Sequence, residues 1–239
     1  MPATTYSLIF VNQSTNRGDV CVYQSDPNIN VPGVMSLAWF SKLATPSTEI
    51  QFEWQVNYNF VWSETGSLKP GVIFSAAQRP AADLTESNQI TLDHTGGAGG
   101  AYDFINQRRG PVAGNLFIDT TNTVPLNRAS VGIGMSGVGT YAVQAQPNFN
   151  LVFSPHPRYW ITFGTFVRGQ VLDITRITNK AEVRFDPGVF SMTAILQRDN
   201  KWNIETTGAL NTALLAAQTK DPEARFASLP SFLALQELQ

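Results

Sequence analysis

The chain is poor in cysteine, in charge and in long apolar runs. Of its 239 residues one is a cysteine, Cys21, so no intrachain disulfide framework exists. Cys21 sits in the apolar, β-prone run "DVCVYQ", which fits a buried structural thiol better than a nucleophile. Charged residues make up 14% of the chain, against the usual quarter or so, so Asn, Gln, Ser and Thr must solvate much of the surface. The net charge is −2, the pI is about 5.7, and Arg108–Arg109 is the one adjacent basic pair. That excludes a nucleic-acid role and offers no electrostatic attraction to an anionic membrane. No apolar stretch approaches the roughly 20 residues of a transmembrane helix. The N-terminal "MPATTYSLIFVNQ" lacks the basic region and apolar length of a signal peptide. The expectation is a soluble protein, cytoplasmic or exported without a recognisable signal peptide. His94 and His156 are the only histidines. With one cysteine they are too few for the usual zinc sites, and G-x-S-x-G is absent. The expectation is no metal and no cofactor.

What is present is short β-like runs between Gly, Pro and Asn turns. "TYSLIFVN" (5–12), "VCVYQ" (20–24), "MSLAWF" (35–40), "VIFSAA" (72–77), "QITLDH" (89–94) and "AYDFINQ" (101–107) are examples. "NLFIDT" (115–120), "TYAVQAQ" (140–146) and "VFSMTAILQ" (189–197) continue the series, and "YWITFGTFVRGQVLDITRI" (159–177) reads as two strands around Gly169. This spacing predicts an all-β fold, an antiparallel β-sandwich or flattened barrel, over residues 1–206. Residues 207–239 change character. "GALNTALLAAQTK" (208–220) has a helical composition, and Asp221–Pro222 opens a second helical stretch. A C-terminal helical arm is expected, packed on its own domain or on another subunit.

"EIQFEWQVNYNFVW" (49–62) alternates. Its even positions are apolar or aromatic, and the odd positions Gln51, Glu53, Gln55, Asn57 and Asn59 are polar. A two-residue turn would exchange the parity of the inward set, and here the parity is constant. One strand of about 13 residues, spanning about 43 Å at roughly 3.3 Å per residue, is expected to twist or bulge near Asn57–Asn59. The amide face is a candidate ligand surface. Trp39 and Trp62, near segment ends, are expected to be partly exposed for stacking on a sugar or flat ligand.

"GIGMSG" (132–137) matches G-x-G-x-x-G. A dinucleotide loop needs a helix after the glycines, whereas "TYAVQAQ" follows, so a bulged glycine strand is the better reading. "DHTGGAGGAYD" (93–103) joins two strands by a Gly-rich loop. If it forms a hairpin, Asp93, His94 and Asp103 at its ends converge. His94 and Asp103, with Glu53 from the alternating ribbon, are the candidate catalytic groups. Trp39, Trp62, Gln51, Gln55, Asn57, Asn59 and Tyr102 are the candidate ligand-binding residues. His156, flanked by prolines in "SPHPRYW", reads as a turn residue capping backbone.

"CVYQSDP" with "SLAWF", "FEWQVNYNFVWSETG", "ASVGIGMSGVGTYAVQAQPN" and "PHPRYWITFG…GQVLDIT" together resemble the RhiA family of rhizosphere-expressed bacterial proteins, over about Tyr6 to Ile204. The resemblance implies a quorum-sensing-linked protein of plant interaction without an assigned reaction, and it brings no catalytic motif. The leading expectation is a non-enzymatic β-sandwich that binds a small neutral ligand, a glycan or a second copy through the C-terminal arm. The alternatives are a membrane-active, cytolysin-like β protein and an enzyme with a site in the Asp93–Asp103 loop.

Overall fold

A computed structural model describes residues 4–25, 31–96 and 99–209. The chain opens with β1 (Thr5–Asn12), β2 (Gly18–Ser25), β3 (Met35–Ser36), β4 (Ala38–Ala44) and β5 (Glu49–Gln55). It continues with β6 (Tyr58–Ser63), β7 (Ala81–Ala82), β8 (Gln89–Thr95), β9 (Ala101–Arg108) and β10 (Leu116–Thr120). Next come β11 (Ser130–Met135), β12 (Val138–Gln144), β13 (Asn150–Phe153) and β14 (Arg158–Gly164). β15 (Lys180–Val183), β16 (Ser191–Leu196) and β17 (Trp202–Thr206) complete the described strands. They form four sheets: β17-β16-β1-β5 (sheet I), β15-β14-β2-β4 (sheet II), β3-β12-β11-β6-β7 (sheet III) and β13-β10-β8-β9 (sheet IV). Among the described residues no sheet closes on itself, so the architecture is open sandwich and not barrel. Most ladders are antiparallel; β1–β16 and β8–β10 are parallel.

The inward side chains sort the sheets into two pairs. Leu8, Phe10, Phe52 and Trp54 of sheet I meet Val20, Val22, Trp39 and Ile161 of sheet II in one core. Phe60, Val131, Ile133 and Val143 of sheet III meet Ile90, Leu92, Leu116 and Phe153 of sheet IV in another. Burial of such side chains contributes roughly 1.5–3 kcal/mol each before entropy is counted. The backbone crosses between the two sandwiches at β2–β3, β3–β4, β5–β6 and β13–β14.

The alternating ribbon is one of these crossings. It is not one continuous strand. It breaks at Val56–Asn57, two residues before the expected distortion ends, giving β5 to sheet I and β6 to sheet III. On β5 the alternation is clean, because β5 is an edge strand with one face in water. On β6 every residue from Asn59 to Ser63 is buried. Phe60 and Trp62 point into the second core, while Val61 packs on the other side with Leu37, Phe74, Ala142 and Val171. That outer covering comes from two strand-poor segments. "VIFSAA" and the second half of Tyr159–Ile177, both expected as strands, make only isolated bridges, Ile73 with Gln170 and Leu37 with Val171. They lie as straps over the outer faces of sheets II and III, where Cys21, Tyr23 and Leu172 are also buried.

"GIGMSG" is β11 and the tip of its hairpin to β12. Ser136 (φ 53) and Gly137 (φ 72) are the two left-handed residues of a tight hairpin turn closed by Met135 and Val138. A bulge follows Ile133. The helical arm expected over 207–239 lies almost wholly outside the described residues, of which only Thr207–Ala209 belong to it.

Candidate functional site

The polar face of the ribbon turns out to do three different things. Gln51 and Glu53 are exposed on β5, and the Gln51 amide donates to Glu53 (2.9 Å) and to Ser7 (3.3 Å). Gln55 and Asn57 hold the hairpin tip. The Gln55 N–H donates to the Ser136 hydroxyl (2.9 Å), and the Ser136 N–H and hydroxyl donate to the Asn57 side chain (3.0 and 3.3 Å). Asn59 belongs to the candidate ligand surface. It is 3% exposed, because β6 is covered on both sides, and its side-chain oxygen accepts the Gly137 N–H (3.2 Å). These amides splice the turn of the second sandwich into the gap of the ribbon. None of them lines the two cavities described below.

Trp39 and Trp62 are likewise not at the surface. Trp39 is fully buried and donates its indole N–H to the Met135 carbonyl (3.1 Å), joining the hairpin tip to the first core. Met135 is itself buried in that core, with the Gln24 amide and the Tyr159 hydroxyl aimed at its sulfur (3.5 and 3.7 Å). Trp62 is 5% exposed and donates to the Gln78 side chain (2.6 Å). Sequence position near a segment end says nothing of what the next sheet places over it.

The Asp93–Asp103 segment does form the hairpin β8–β9, but its candidate groups part company. His94 pairs with Tyr102 and Asp93 with Asp103 in the ladder. Successive residues of a strand face opposite ways, so His94 and Asp103 lie on opposite faces of sheet IV. On the inner face the His94 ring contacts Tyr102 (4.5 Å between centroids), and Tyr102 contacts Trp62 (5.5 Å). Burial raises the Tyr102 pKa, with Glu64 adding to the effect and Arg128 opposing it. On the outer face Asp103 accepts from Gln78 (2.5 Å). Asp93 accepts from Thr121 and Thr123 (2.7 and 2.9 Å), whose hydroxyls lower its pKa. Glu53 lies in sheet I, on the other sandwich, and joins neither face. Among the described residues no three His, Cys, Asp or Glu side chains are grouped so as to hold a metal.

The concave chemistry lies elsewhere. A cavity of about 510 Å³ opens at the end of the first core, lined by Tyr6, Pro157, Arg158, Tyr159, Glu182, Val183, Arg184 and Phe185. That volume suits a small molecule. Its floor is aromatic: Phe185 sits edge-on to Tyr6 (5.1 Å) and to Tyr159 (5.9 Å), and Tyr6 stacks on Trp54 (6.2 Å). Its mouth carries the exposed Arg158, Glu182 and Arg184. Arg184 is held by Asp186 (3.3 Å). The Tyr159 phenol is pushed up to about 12, chiefly by burial. It stays a neutral donor at any physiological pH. A second cavity of about 450 Å³ shares Arg158 and is lined further by Ser25, Met35, Tyr141, Leu172 and Ile174. Arg158 stands between the two.

A profile of the RhiA family matches residues 3–207. The chain belongs to the RhiA family. It is similar to Protein RhiA of Rhizobium leguminosarum bv. viciae, with 43% identity over 204 residues, covering 84% of this chain and 86% of that protein. No solved structure matches the chain. The RhiA match contains both sandwiches, the β8–β9 hairpin and every residue lining the 510 Å³ cavity. Reading the sequence singled out none of those lining residues. "HPRYW" drew attention to His156, which is exposed with Nδ1 3.1 Å from the Ser154 carbonyl, as a turn residue would be. The neighbouring Arg158 and Tyr159 had no distinguishing local signal, since they join Tyr6 only where sheet II packs on sheet I.

Proposed function

We propose that this chain is a non-enzymatic binding protein of the RhiA family, which takes a small neutral ligand, such as a glycan, in the 510 Å³ cavity at the end of the first sandwich. The observation that carries this is the pairing of an aromatic floor with a polar rim. Tyr6, Tyr159 and Phe185 supply aromatic surface to the lining, for contact with a sugar ring or another planar group. Arg158, Glu182 and Arg184 offer donors and an acceptor at the mouth. With Arg184 paired to Asp186, Arg158 and Glu182 leave the rim close to neutral overall, which suits a neutral guest. The quorum-sensing-linked or host-interaction setting is the context the family resemblance suggests for such binding.

No helix among the described residues is long and apolar enough to cross a membrane. The test is a titration of glycans and small neutral metabolites followed by tryptophan fluorescence, since Trp54 stacks directly behind Tyr6. Phe185→Ala and Arg158→Ala should each weaken a responding ligand about tenfold, the equivalent of about 1.4 kcal/mol. A blank screen at millimolar concentration, together with a monomer in light scattering, would sink the reading.

A further inference from the structure

We infer that residues 210–220 of this same chain dock on the outer face of sheet I. The face has a composition that open solvent does not explain. β1 turns Ser7, Ile9 and Val11 outward, because Leu8 and Phe10 face the core. Ladder pairing sets Ser191, Thr193 and Ile195 of β16 beside them, and Glu53, Gln51 and Glu49 on the other side. Ile9, Val11 and Ile195 form an apolar strip on this outer face, and all three are partly buried. Thr193, outward like them, is 2% exposed.

The chain leaves the described structure on this face. Thr207 shares hydrogen bonds with the outward hydroxyls of Ser191 (2.9 Å) and Thr193 (3.1 Å). One residue earlier, the Thr206 hydroxyl accepts the Ala209 N–H (3.2 Å), which is how a Thr starts a helix. The residues that follow carry Leu210, Ala213, Leu214 and Ala217, the spacing of one apolar helical face. A helix of eleven residues extends about 16 Å. The strip from Ser191 to Ile195 runs about 13 Å along the strand. Apolar side chains, origin and length therefore agree. At the far end of the strip, beside Val11, one Glu49 carboxylate oxygen is shielded from solvent and has no hydrogen-bond partner among the described residues. A second copy is the weaker occupant, because Thr207 is already tied to the face that its own next residues would cover.

The test is hydrogen–deuterium exchange of the full chain, read by mass spectrometry on peptides covering residues 208–220. These amides should be protected. Changing the sheet alone, by Ile9→Thr with Ile195→Thr, should raise their exchange at least about tenfold, since each 1.4 kcal/mol of lost apolar contact is a factor of ten. Peptides from β11 should not change, which shows that the fold is kept. Leu214→Asn, which leaves the sheet untouched, should have the same effect on 208–220 and serves if the sheet variant fails to fold. Equal exchange of 208–220 in all three proteins would overturn the inference. So would a dimer in light scattering that the Leu214→Asn variant dissociates, which would place the segment on a second copy.

Discussion

Gly132 and Gly134 show how much a single missing atom can decide. A Cβ on Gly132 would run into the Tyr141 carbonyl oxygen, and one on Gly134 into that of Val138, both backbone atoms of the partner strand. Gly137 differs. Its φ of 72 strains any L side chain, but nothing lies within 4 Å of its would-be Cβ. Gly132→Ala should therefore cost about 3 kcal/mol, and Gly137→Ala about 1–2 kcal/mol, in urea unfolding. Equal losses would show that the β11–β12 contact is looser than described. Asp83 makes a second prediction at this scale. Its carboxylate accepts the N–H groups of Glu86 (2.6 Å) and Thr85 (2.7 Å), which lowers its pKa to about 2. A lowered folded-state pKa means that its contribution is present above the ordinary value near 3.8 and fades as pH falls toward 2. Asp83→Asn should thus speed amide exchange at Thr85 and Glu86 at pH 7 relative to the parent. That difference should shrink as the pH approaches 2.

At the level of elements, the ribbon from Glu49 to Trp62 shows what a pattern reveals and what it conceals. Its period of two was legible, and β5 follows it because one face of an edge strand meets water. The break at Val56–Asn57 was half legible, as a distortion. Its cause was not, because the residues that fill the gap, Ser136 and Gly137, lie about eighty positions away in sequence. Asn57→Ala and Ser136→Ala should each cost about 1 kcal/mol, the net value of a typical hydrogen bond. A double-mutant cycle should find them coupled by at least about 0.5 kcal/mol. Additive losses would mean the tip is held by backbone alone. The same geometry that made the ribbon readable keeps His94 and Asp103 apart. In a hairpin the period of two separates His94 from Asp103 as surely as it aligns His94 with Tyr102.

At the scale of the molecule, two cores share one chain that, over the described residues, crosses between them four times, at β2–β3, β3–β4, β5–β6 and β13–β14. Met135 belongs by strand to the second sandwich and by packing to the first. The two sandwiches should then unfold together, with circular dichroism and tryptophan fluorescence giving one coincident transition. Met135→Ala should lower stability by about 2–5 kcal/mol and pull those two curves apart. A variant that still unfolds in one coincident step would show that the crossings alone couple the cores.

Sequence by itself determined the class of fold, because period-two alternation and turn residues are local properties of the backbone. It determined the inert setting of Cys21, which is fully buried with its thiol pKa raised by burial, and it identified "GIGMSG" as a bulged glycine strand and not a dinucleotide loop. The family, too, was readable from long unusual blocks. Only the tertiary structure decided that there are two sandwiches, that Trp39, Trp62 and Asn59 are interior, and that Tyr6, Arg158, Tyr159 and Phe185 enclose a cavity. The physical reason is common to all of these. Alternation tells which residues share a face, but which sheet covers that face depends on pairings between strands far apart in the chain.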